Sequence, residues 1–378
     1  MRYFFPLVIF LLVASNSTAR SIEAVWDKVD RVMAIGAIGA DYQQLIAVLK
    51  GAALIDEEHN WIGGETHLVQ TGDLLGRGGK SRQVMDLMMR LKAEARKEGG
   101  YIHCLLGNHE EMNLYGDLHY VSPKDYIAFR DENSEKTREF HWIHRFTEWR
   151  KGAKGGGADD PERTIAFDGP YRKHWEQLHP LGHFEREAAL GAEGTYGKWI
   201  RSHNAVIKIN DTLFVHAGIS PKYTNRTLAQ LNQRFLKRLA AFTKIKEGAA
   251  YDQDGPLWYQ GLGRQEVKSL NVHVETVLKH HGVRRIVIGG TLTAGTVLPR
   301  FGGRVILVHV GLSVHYGERL ASLLIEKGRL YTIHRGKQLP LPVTQDSRFL
   351  QYLQQAASLD PSPSPLASLI RRMEARLN

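Results

Sequence analysis

The sequence predicts a layered α/β fold. Short apolar runs typical of buried strands alternate with segments whose apolar residues recur every three or four positions, as on one face of a helix. Several strand-like runs end in a glycine that is followed by a polar or charged side chain. This alternation favours α/β layers over an all-helical bundle or an all-β sandwich. It also places polar side chains at the ends of strands, where such folds bind ligands.

The elements follow from these runs in chain order. Strands are predicted at residues 31–35, 66–71, 101–106, 205–209, 212–216, 285–288, 305–310 and 330–334. Asp41 is a typical helix N-cap, and further amphipathic helices are predicted around 84–95, 228–239, 270–278 and 366–377. The pair Asn210-Asp211 is typical of a tight turn between two strands.

The first residues are expected to be a segment separate from the folded domain. Arg2 is followed by the apolar run Tyr3–Val13, whose eleven residues are fewer than the about 20 that a membrane-spanning helix needs. Small residues precede a possible cut after Ala19, so residues 1–19 are interpreted as a cleaved secretory signal, with an uncleaved anchor as the alternative. We therefore expect an exported protein, periplasmic or secreted, with no transmembrane segment after signal cleavage.

Composition limits the remaining function classes. Fifty Lys and Arg against 40 Asp and Glu give a net charge of +10, which favours anionic partners such as phosphates. No dense basic run occurs, so no specific nucleic-acid partner is predicted. The single cysteine, Cys104, excludes an internal disulfide framework and a Cys-rich zinc site, and it is interpreted as a buried core thiol.

Domain organisation is predicted from changes in the pattern. Residues 20–339 are expected to form one domain, in which the charged and aromatic stretch 117–200 is a largely helical insertion that could cap a cleft. Residues 340–378 are interpreted as a linker, including Asp360–Pro365, and a C-terminal helical tail.

Three predicted strand ends carry chemically capable side chains. They read Gly72-Asp73-Leu74-Leu75-Gly76-Arg77-Gly78, Gly107-Asn108-His109-Glu110 and Val215-His216-Ala217-Gly218. Carboxylate, amide and imidazole donors suit Mn, Fe or Zn better than calcium. An arginine in a glycine-flanked turn can hold a phosphate through two parallel hydrogen bonds.

The order of these motifs resembles that of the calcineurin-like metallophosphoesterases, in their Shewanella-like protein phosphatase branch. That pattern runs GDxHG, GDxxDRG, GNHE, a His-Gly/Ala-Gly strand end and GHT, and the likeness spans roughly residues 32–324. It implies a β-sandwich of mixed sheets flanked by helices, and hydrolysis of phosphate monoesters at a dinuclear metal centre. The resemblance also assigns roles: Asp73, Asn108 and His216 as metal ligands, Arg77 and Asn108 as phosphate contacts, and His109 with Arg77 as catalytic residues, His109 donating a proton to the leaving group.

The same motifs are incomplete. Ala37 and Gly39 stand where the family has two ligands of its first metal, and Gly290 stands where it has a histidine ligand of the second. Gly76 replaces the acid that orients the catalytic histidine. His309 stands where an aspartate is usual, which makes it a candidate for a recruited ligand.

Two functions remain open from the sequence. The favoured one is a catalytically impaired or inactive pseudophosphatase that binds phosphate or a phosphorylated partner. The alternative is an exported phosphate-monoester hydrolase that works with a single metal ion at Asp73, Asn108 and His216. Either way we expect at most one divalent ion, Mn, Fe or Zn, because three of the side chains that bind metal in the family are missing.

Overall fold

Two mixed sheets of six strands each form the centre of the molecule, and helices flank them. The computed structural model describes residues 23–155, 167–240 and 251–377, so the predicted signal lies outside the described residues, as does part of the insertion. The strands are β1 (Val25–Trp26), β2 (Arg31–Ile35), β3 (His67–Gln70), β4 (Tyr101–Cys104), β5 (Val206–Ile209), β6 (Thr212–Val215), β7 (Arg285–Leu292), β8 (Leu298–Arg300), β9 (Val305–His309), β10 (Ala321–Glu326), β11 (Arg329–His334) and β12 (Lys337–Pro340). The predicted fold class is confirmed.

Each sheet has a parallel centre with antiparallel additions. The first sheet has the order β12-β11-β10-β2-β3-β4, with β2, β3 and β4 parallel and β10 to β12 antiparallel. The second has the order β1-β5-β6-β7-β9-β8, with β6, β7 and β9 parallel. Because the carboxyl ends of parallel strands lie at one edge of a sheet, each sheet contributes three loops to a common site.

The helices fill the connections between strands. They are α1 (Tyr42–Gly51), α2 (Ser81–Lys97), α3 (Asn108–Tyr115), α4 (Pro123–Ile127), α5 (Ser134–Gly155), α6 (Gly169–Leu178), α7 (His183–Leu190), α8 (Thr195–Arg201), α9 (Leu228–Ala240), α10 (Gly261–Arg264), α11 (Val267–His281), α12 (Ser347–Leu359) and α13 (Ala367–Leu377). Asp41 caps α1 by accepting a hydrogen bond from the Gln44 backbone N–H, as its residue type predicts. In its described part, the segment 117–200 is helical, α4 to α8, and Cys104 is buried and free.

The two sheets touch closely beside the site. A Cβ atom built on Gly36, directly after β2, would lie 2.4 Å from the carbonyl oxygen of Val308 and 2.6 Å from the Cα atom of His309. Any side chain at this position would collide with the backbone of β9. Glycine at residue 36 therefore permits the contact that brings the ends of β2 and β9 together.

The C-terminal segment packs into the body of the protein. The Tyr352 hydroxyl group, on α12, is fully buried and lies within hydrogen-bond distance of the Thr296 and Thr332 hydroxyls and of the Val297 carbonyl. His334 Nε2 lies 2.9 Å from Asp360 Oδ1, with both side chains buried. The sequence patterns predicted α13 but not α12, and Asp360, assigned to a linker, anchors the end of β11.

Among the described residues, no helix is long and apolar enough to cross a membrane.

Acidification is expected to destabilise the protein because several histidines are buried without charge. Burial lowers the pKa of His203 to about 3 and that of His67 to about 4. Burial, with a smaller contribution from His67, also holds the pKa of His103 well below its ordinary value. In the unfolded chain these groups titrate near pH 6.5, so the unfolded state binds more protons below that pH. Stability should be complete above about pH 6.5 and should fall as the pH drops toward about 4.

Urea unfolding at several pH values between 7.5 and 4.5 tests this dependence. The urea concentration at the midpoint of unfolding should decrease as the pH is lowered. His203→Leu should make this dependence on pH weaker, whereas His174→Leu, at an exposed histidine, should leave it unchanged. A midpoint independent of pH over this range would contradict the expectation.

Candidate metal and phosphate site

Loops at the carboxyl edges of both sheets bring the predicted site residues together. Asp73 follows β3, Asn108 and His109 follow β4 as the first residues of α3, and His216 follows β6. The His216 Nε2 atom lies 2.9 Å from Asn108 Oδ1 and 3.5 Å from Asp73 Oδ2. The His109 Nε2 atom lies 4.0 Å from Asp73 Oδ2. Four residues from three separate motifs therefore converge on one point between the sheets.

A buried carboxylate holds two of these loops. Glu110 is 1 % exposed, and its Oε2 atom accepts hydrogen bonds from the backbone N–H groups of Asp73 and Gly107 at 2.8 Å. Its Oε1 atom accepts a third bond from the backbone N–H of Leu75 at 2.9 Å. We call this arrangement the Glu110 clasp. Burial, and then the nearby charge of Asp73, raises the pKa of Glu110.

The backbone of Asp73 in turn forms hydrogen bonds with the loop at residues 36–40, which stands at the position of the GDxHG motif. Asp73 has a φ of 58°, which aspartate adopts more readily than most residues. Its carbonyl oxygen accepts hydrogen bonds from the N–H groups of Ile38 and Gly39 at 3.0 and 2.9 Å. The loop therefore keeps a defined conformation although it has lost its two ligand side chains.

Asp73 stays ionised despite its burial. Burial alone would raise its pKa, but the nearby imidazoles of His109 and His216 and the His109 backbone N–H hold the pKa below its ordinary value. The Asp73 Oδ1 atom accepts the hydrogen bond from that N–H at 3.0 Å. Oδ2 is the carboxylate oxygen that faces the two histidines.

The possible metal-binding atoms of His216, Asn108 and Asp73 all carry lone pairs and face one another. His216 Nδ1 lies 2.9 Å from the Thr71 carbonyl, which can only accept, so Nδ1 carries the proton. In the neutral ring Nε2 then has a lone pair, and it faces Asn108 Oδ1 and Asp73 Oδ2. A proton on Nε2 or a cation between the three atoms would stabilise this arrangement.

The four degenerate positions supply no donor. Ala37 is buried with only a methyl group to offer. A Cβ atom on Gly290 would lie 3.1 Å from His216 Nε2, and one on Gly76 would lie 3.1 Å from His109 Nδ1. With no acid at residue 76, His109 Nδ1 donates instead to the Leu75 carbonyl at 3.1 Å. His109 keeps an orienting hydrogen bond, but its partner is neutral.

Two tyrosines lie beside these residues, and the motifs gave no sign of them. The Arg77 guanidinium lies 4.3 Å from the centre of the Tyr120 ring, which also stacks on His109 at 4.7 Å. Arg77 itself is exposed, and within the described ranges no ion pair joins it to a carboxylate. Burial raises the pKa of Tyr316. The charge of Arg77 partly opposes this shift, and the charge of Asp73 adds to it. Tyr120 and Tyr316 thus place aromatic surface beside the cationic end of the cleft.

His309 is the most unusual member of the group. It is 7 % exposed, and neither ring nitrogen has a hydrogen-bond partner among the residues that the structure describes. Burial lowers its pKa to about 4 although the Asp73 charge acts in the opposite direction, so the ring is neutral at pH 7. Its ring packs perpendicular to Tyr316 at 5.2 Å.

Three of these side chains carry the kinds of donor atom that a divalent ion binds. Asp73 Oδ2, Asn108 Oδ1 and His216 Nε2 are oxygen and nitrogen donors close enough together to share an ion. The first-metal side retains only Asp73 of its three expected ligands, since Ala37 and Gly39 offer none. Throughout the described residues, no group of three or more His, Cys, Asp or Glu is arranged to hold a metal ion. Asn108 is therefore needed as the third donor.

Comparisons with known proteins agree with this architecture. Residues 31–308 match the calcineurin-like phosphoesterase family. Shewanella-like protein phosphatase 2 of Arabidopsis thaliana is 27% identical over 330 residues, which cover 84% of this chain and 80% of that protein. An uncharacterized protein of Schizosaccharomyces pombe is 29% identical, with 82% of each chain covered.

A solved structure shows the same relationship. The crystal structure of a cold-active protein-tyrosine phosphatase from a psychrophilic Shewanella species superposes with a TM-score of 0.63 at 28% identity, covering 84% of this chain and 82% of that one. Both the sequence match and the shared fold extend over most of the length of each protein. The chain therefore belongs to the calcineurin-like phosphoesterases, a metallophosphoesterase family, in the Shewanella-like protein phosphatase branch.

Proposed function

We propose that this protein is a catalytically impaired phosphatase that binds a phosphate-bearing ligand or a phosphorylated partner. The observation that carries the proposal is the set of missing donors in an otherwise complete frame. Ala37, Gly39 and Gly290 replace three ligands, while the Glu110 clasp still holds the loops around them. Enzymes of this type use two ions about 3.5–4 Å apart to generate a hydroxide nucleophile and to stabilise the attacking and leaving oxygens.

The orientation of the expected proton donor, His109, also differs from the family motif. Because His109 Nδ1 donates to the Leu75 carbonyl, Nε2 carries a proton only when the whole ring is cationic. A neutral carbonyl stabilises that cation less than the carboxylate expected from the family motif. His109 therefore keeps an orienting hydrogen bond, but its partner is a neutral carbonyl and not the carboxylate expected from the family motif.

Phosphate recognition is better preserved than catalysis. Arg77 is exposed with its guanidinium over the Tyr120 ring, and the paired N–H donors of a guanidinium suit two parallel hydrogen bonds to a phosphate. The Shewanella relative is described as a protein-tyrosine phosphatase, and in this protein the aromatic ring of Tyr120 lies beside both Arg77 and His109. We therefore favour a phosphotyrosine-like group as the ligand of the cleft.

Binding and turnover measurements test this function. Purified protein should bind a phosphotyrosine peptide more tightly than the matched phosphoserine peptide, and Arg77→Ala should weaken binding by about tenfold or more. The exposed Arg371 provides a charge-matched control, since Arg371→Ala should leave the affinity unchanged. Two bound metal equivalents together with rapid hydrolysis of p-nitrophenyl phosphate would contradict the proposal.

A second function is a phosphate-monoester hydrolase with a single ion at Asp73, Asn108 and His216. It is favoured by the convergence of those three donors and by the position of His109 beside Asp73. A bound ion would lower the pKa of a coordinated water, and Arg77 would hold the substrate phosphate. Metal-dependent turnover that depends on His109, at one bound equivalent, would favour this second function.

We also propose that the protein is exported. The support is the short apolar run Tyr3–Val13 and the small residues before Ala19. N-terminal sequencing of protein from fractionated cells should give a mature chain that begins at or near residue 20, in a non-cytoplasmic fraction. An intact N-terminus would contradict cleavage.

A further inference from the structure

Tyr120 lies on a loop, residues 116–122, which connects α3 to α4. Its ring nevertheless has a defined place at the phosphate site. It stacks on His109 at 4.7 Å, and the Arg77 guanidinium lies 4.3 Å from its centre. Loops are usually more mobile than the helices and strands that they connect. The position of this ring therefore depends on contacts that hold the loop.

Asp117 joins this loop both to itself and to a distant segment of the chain. Its Oδ1 atom accepts a hydrogen bond from the His119 backbone N–H at 3.1 Å, directly before Tyr120. Its Oδ2 atom accepts a hydrogen bond from the Tyr251 hydroxyl at 2.7 Å, across 134 positions of the sequence. One carboxylate thus stabilises the turn that precedes Tyr120 and ties that turn to residue 251.

The Tyr251 ring is packed between two side chains that share one buried partner. It stacks on Trp258 at 4.5 Å and on Tyr115 at 6.0 Å. The Trp258 indole N–H donates to Glu111 Oε2 at 2.6 Å, and the Tyr115 hydroxyl donates to Glu111 Oε1 at 2.9 Å. Burial, and then the hydrogen bond to Asp117, raises the pKa of Tyr251. The Tyr251 hydroxyl therefore keeps its proton and donates to Asp117 at neutral pH.

We propose that Tyr251 is a positioning residue of the phosphate site, which acts through Asp117 to hold the Tyr120 ring in place. An aryl phosphate then meets this ring and the Arg77 guanidinium already arranged, so binding does not have to order the loop first. Loss of the Tyr251 hydroxyl adds that ordering to the cost of binding. The assignment rests on the proposed function only for the ligand, a phosphotyrosine-like group.

Hydrogen exchange followed by mass spectrometry tests the hold on the loop without a ligand. In full-length Tyr251→Phe, which removes only the hydroxyl, the amides of residues 118–121 should exchange about fivefold faster than in the wild type. Tyr196→Phe is a matched control, because the Tyr196 hydroxyl also donates to a carboxylate, Asp86 Oδ1 at 2.6 Å, but joins α8 to α2. This control should leave exchange at residues 118–121 unchanged.

Titration with a phosphotyrosine peptide tests the consequence for binding. Tyr251→Phe should weaken the affinity by about fivefold, whereas Tyr196→Phe should leave it unchanged. In a Tyr120→Leu background, Tyr251→Phe should have no further effect, because it acts through the ring that has been removed. A general loss of stability would not produce this dependence on Tyr120.

Three results would overturn this role of Tyr251. They are unchanged exchange at residues 118–121 in Tyr251→Phe, faster exchange with unchanged affinity, and an equal loss of affinity with and without the Tyr120 ring. If Tyr251→Phe does not fold, as judged by circular dichroism, Asp117→Ala breaks the same bond from the other side and should give the same changes. A wild type that binds no phosphotyrosine peptide would refute the proposed function, and the exchange result alone would then decide whether Tyr251 holds the loop.

Discussion

Returning the four missing side chains to the site, through Ala37→Asp, Gly39→His, Gly76→Asp and Gly290→His in one protein, is expected to raise hydrolysis of p-nitrophenyl phosphate by about 100-fold or more. Even the loss of groups that merely support metal ligands costs about 10–100-fold in affinity or activity. Here three ligands and one orienting acid are restored together, in loops that the Glu110 clasp already holds in place. Steady-state rates in Mn²⁺ and elemental analysis of bound metal measure the gain.

The space available for a new side chain differs between Gly39 and Gly76. A Cβ atom on Gly39 would be 3.7 Å from the Ser313 side chain, an ordinary contact, although its φ of 61° favours glycine. A Cβ atom on Gly76 would be 2.9 Å from the Cα atom of Gly39, so the first two motifs must separate slightly. We therefore expect Ala37→Asp with Gly39→His to restore a second metal equivalent at lower cost than the fourfold variant.

A matched control separates chemistry from size. The set Ala37→Asn, Gly39→Gln, Gly76→Asn and Gly290→Gln introduces side chains of similar volume without carboxylate or imidazole groups, and it should give little gain. A fourfold ligand variant that folds, as judged by circular dichroism, but hydrolyses no faster than wild type would show that the cleft has changed beyond these four positions.

Glu110→Ala is expected to lower the free energy of unfolding by about 4 kcal/mol or more. The substitution leaves three buried backbone N–H groups without acceptors, at Asp73, Leu75 and Gly107. Each unpaired buried group costs about 1–3 kcal/mol, and hydrogen bonds to a charged acceptor lie at the upper end. Urea unfolding followed by fluorescence gives the difference in free energy.

The exposed Glu98, at the end of α2, serves as the comparison for Glu110. Glu98→Ala removes the same side chain from a solvent-exposed position, and its effect should stay within about 0.5 kcal/mol. If the two alanine variants unfold at similar urea concentrations, the clasp does not stabilise the loops as its geometry indicates.

The site residues that could be predicted from sequence are those that lie within short sequence motifs. The order Asp73, Asn108, His216 indicated strand ends on a common edge, and the structure places them within hydrogen-bonding or ion-pair distance of one another. Tyr120 and Tyr316 were not predictable, because their positions depend on how the insertion and the loop after β9 fold back over the motifs. A single tyrosine in an aromatic-rich stretch has no pattern that marks it.

The same division holds for the fold. Strands that carry the motifs were predicted, whereas β10 and α12 were not, although both have recognisable signals. The run Ala321–Glu326 is apolar and precedes Gly328, and Asp346 caps a helix with Phe349 and Leu353 on one face. The short strands β1, β8 and β12 have weaker patterns, because their pairing partners rather than their own two to four residues define them.

The burial of Tyr352 among Thr296, Thr332 and Val297 has a consequence for synthesis of the protein. These three partners precede it by 20 to 56 residues, so they are synthesised before α12, the helix that carries it. Until α12 has been made, the hydroxyls of Thr296 and Thr332 and the carbonyl of Val297 lack this buried partner. A nascent chain should therefore complete this part of its fold only after α12 has been made, and a chain truncated before residue 346 should be less stable than the full-length protein.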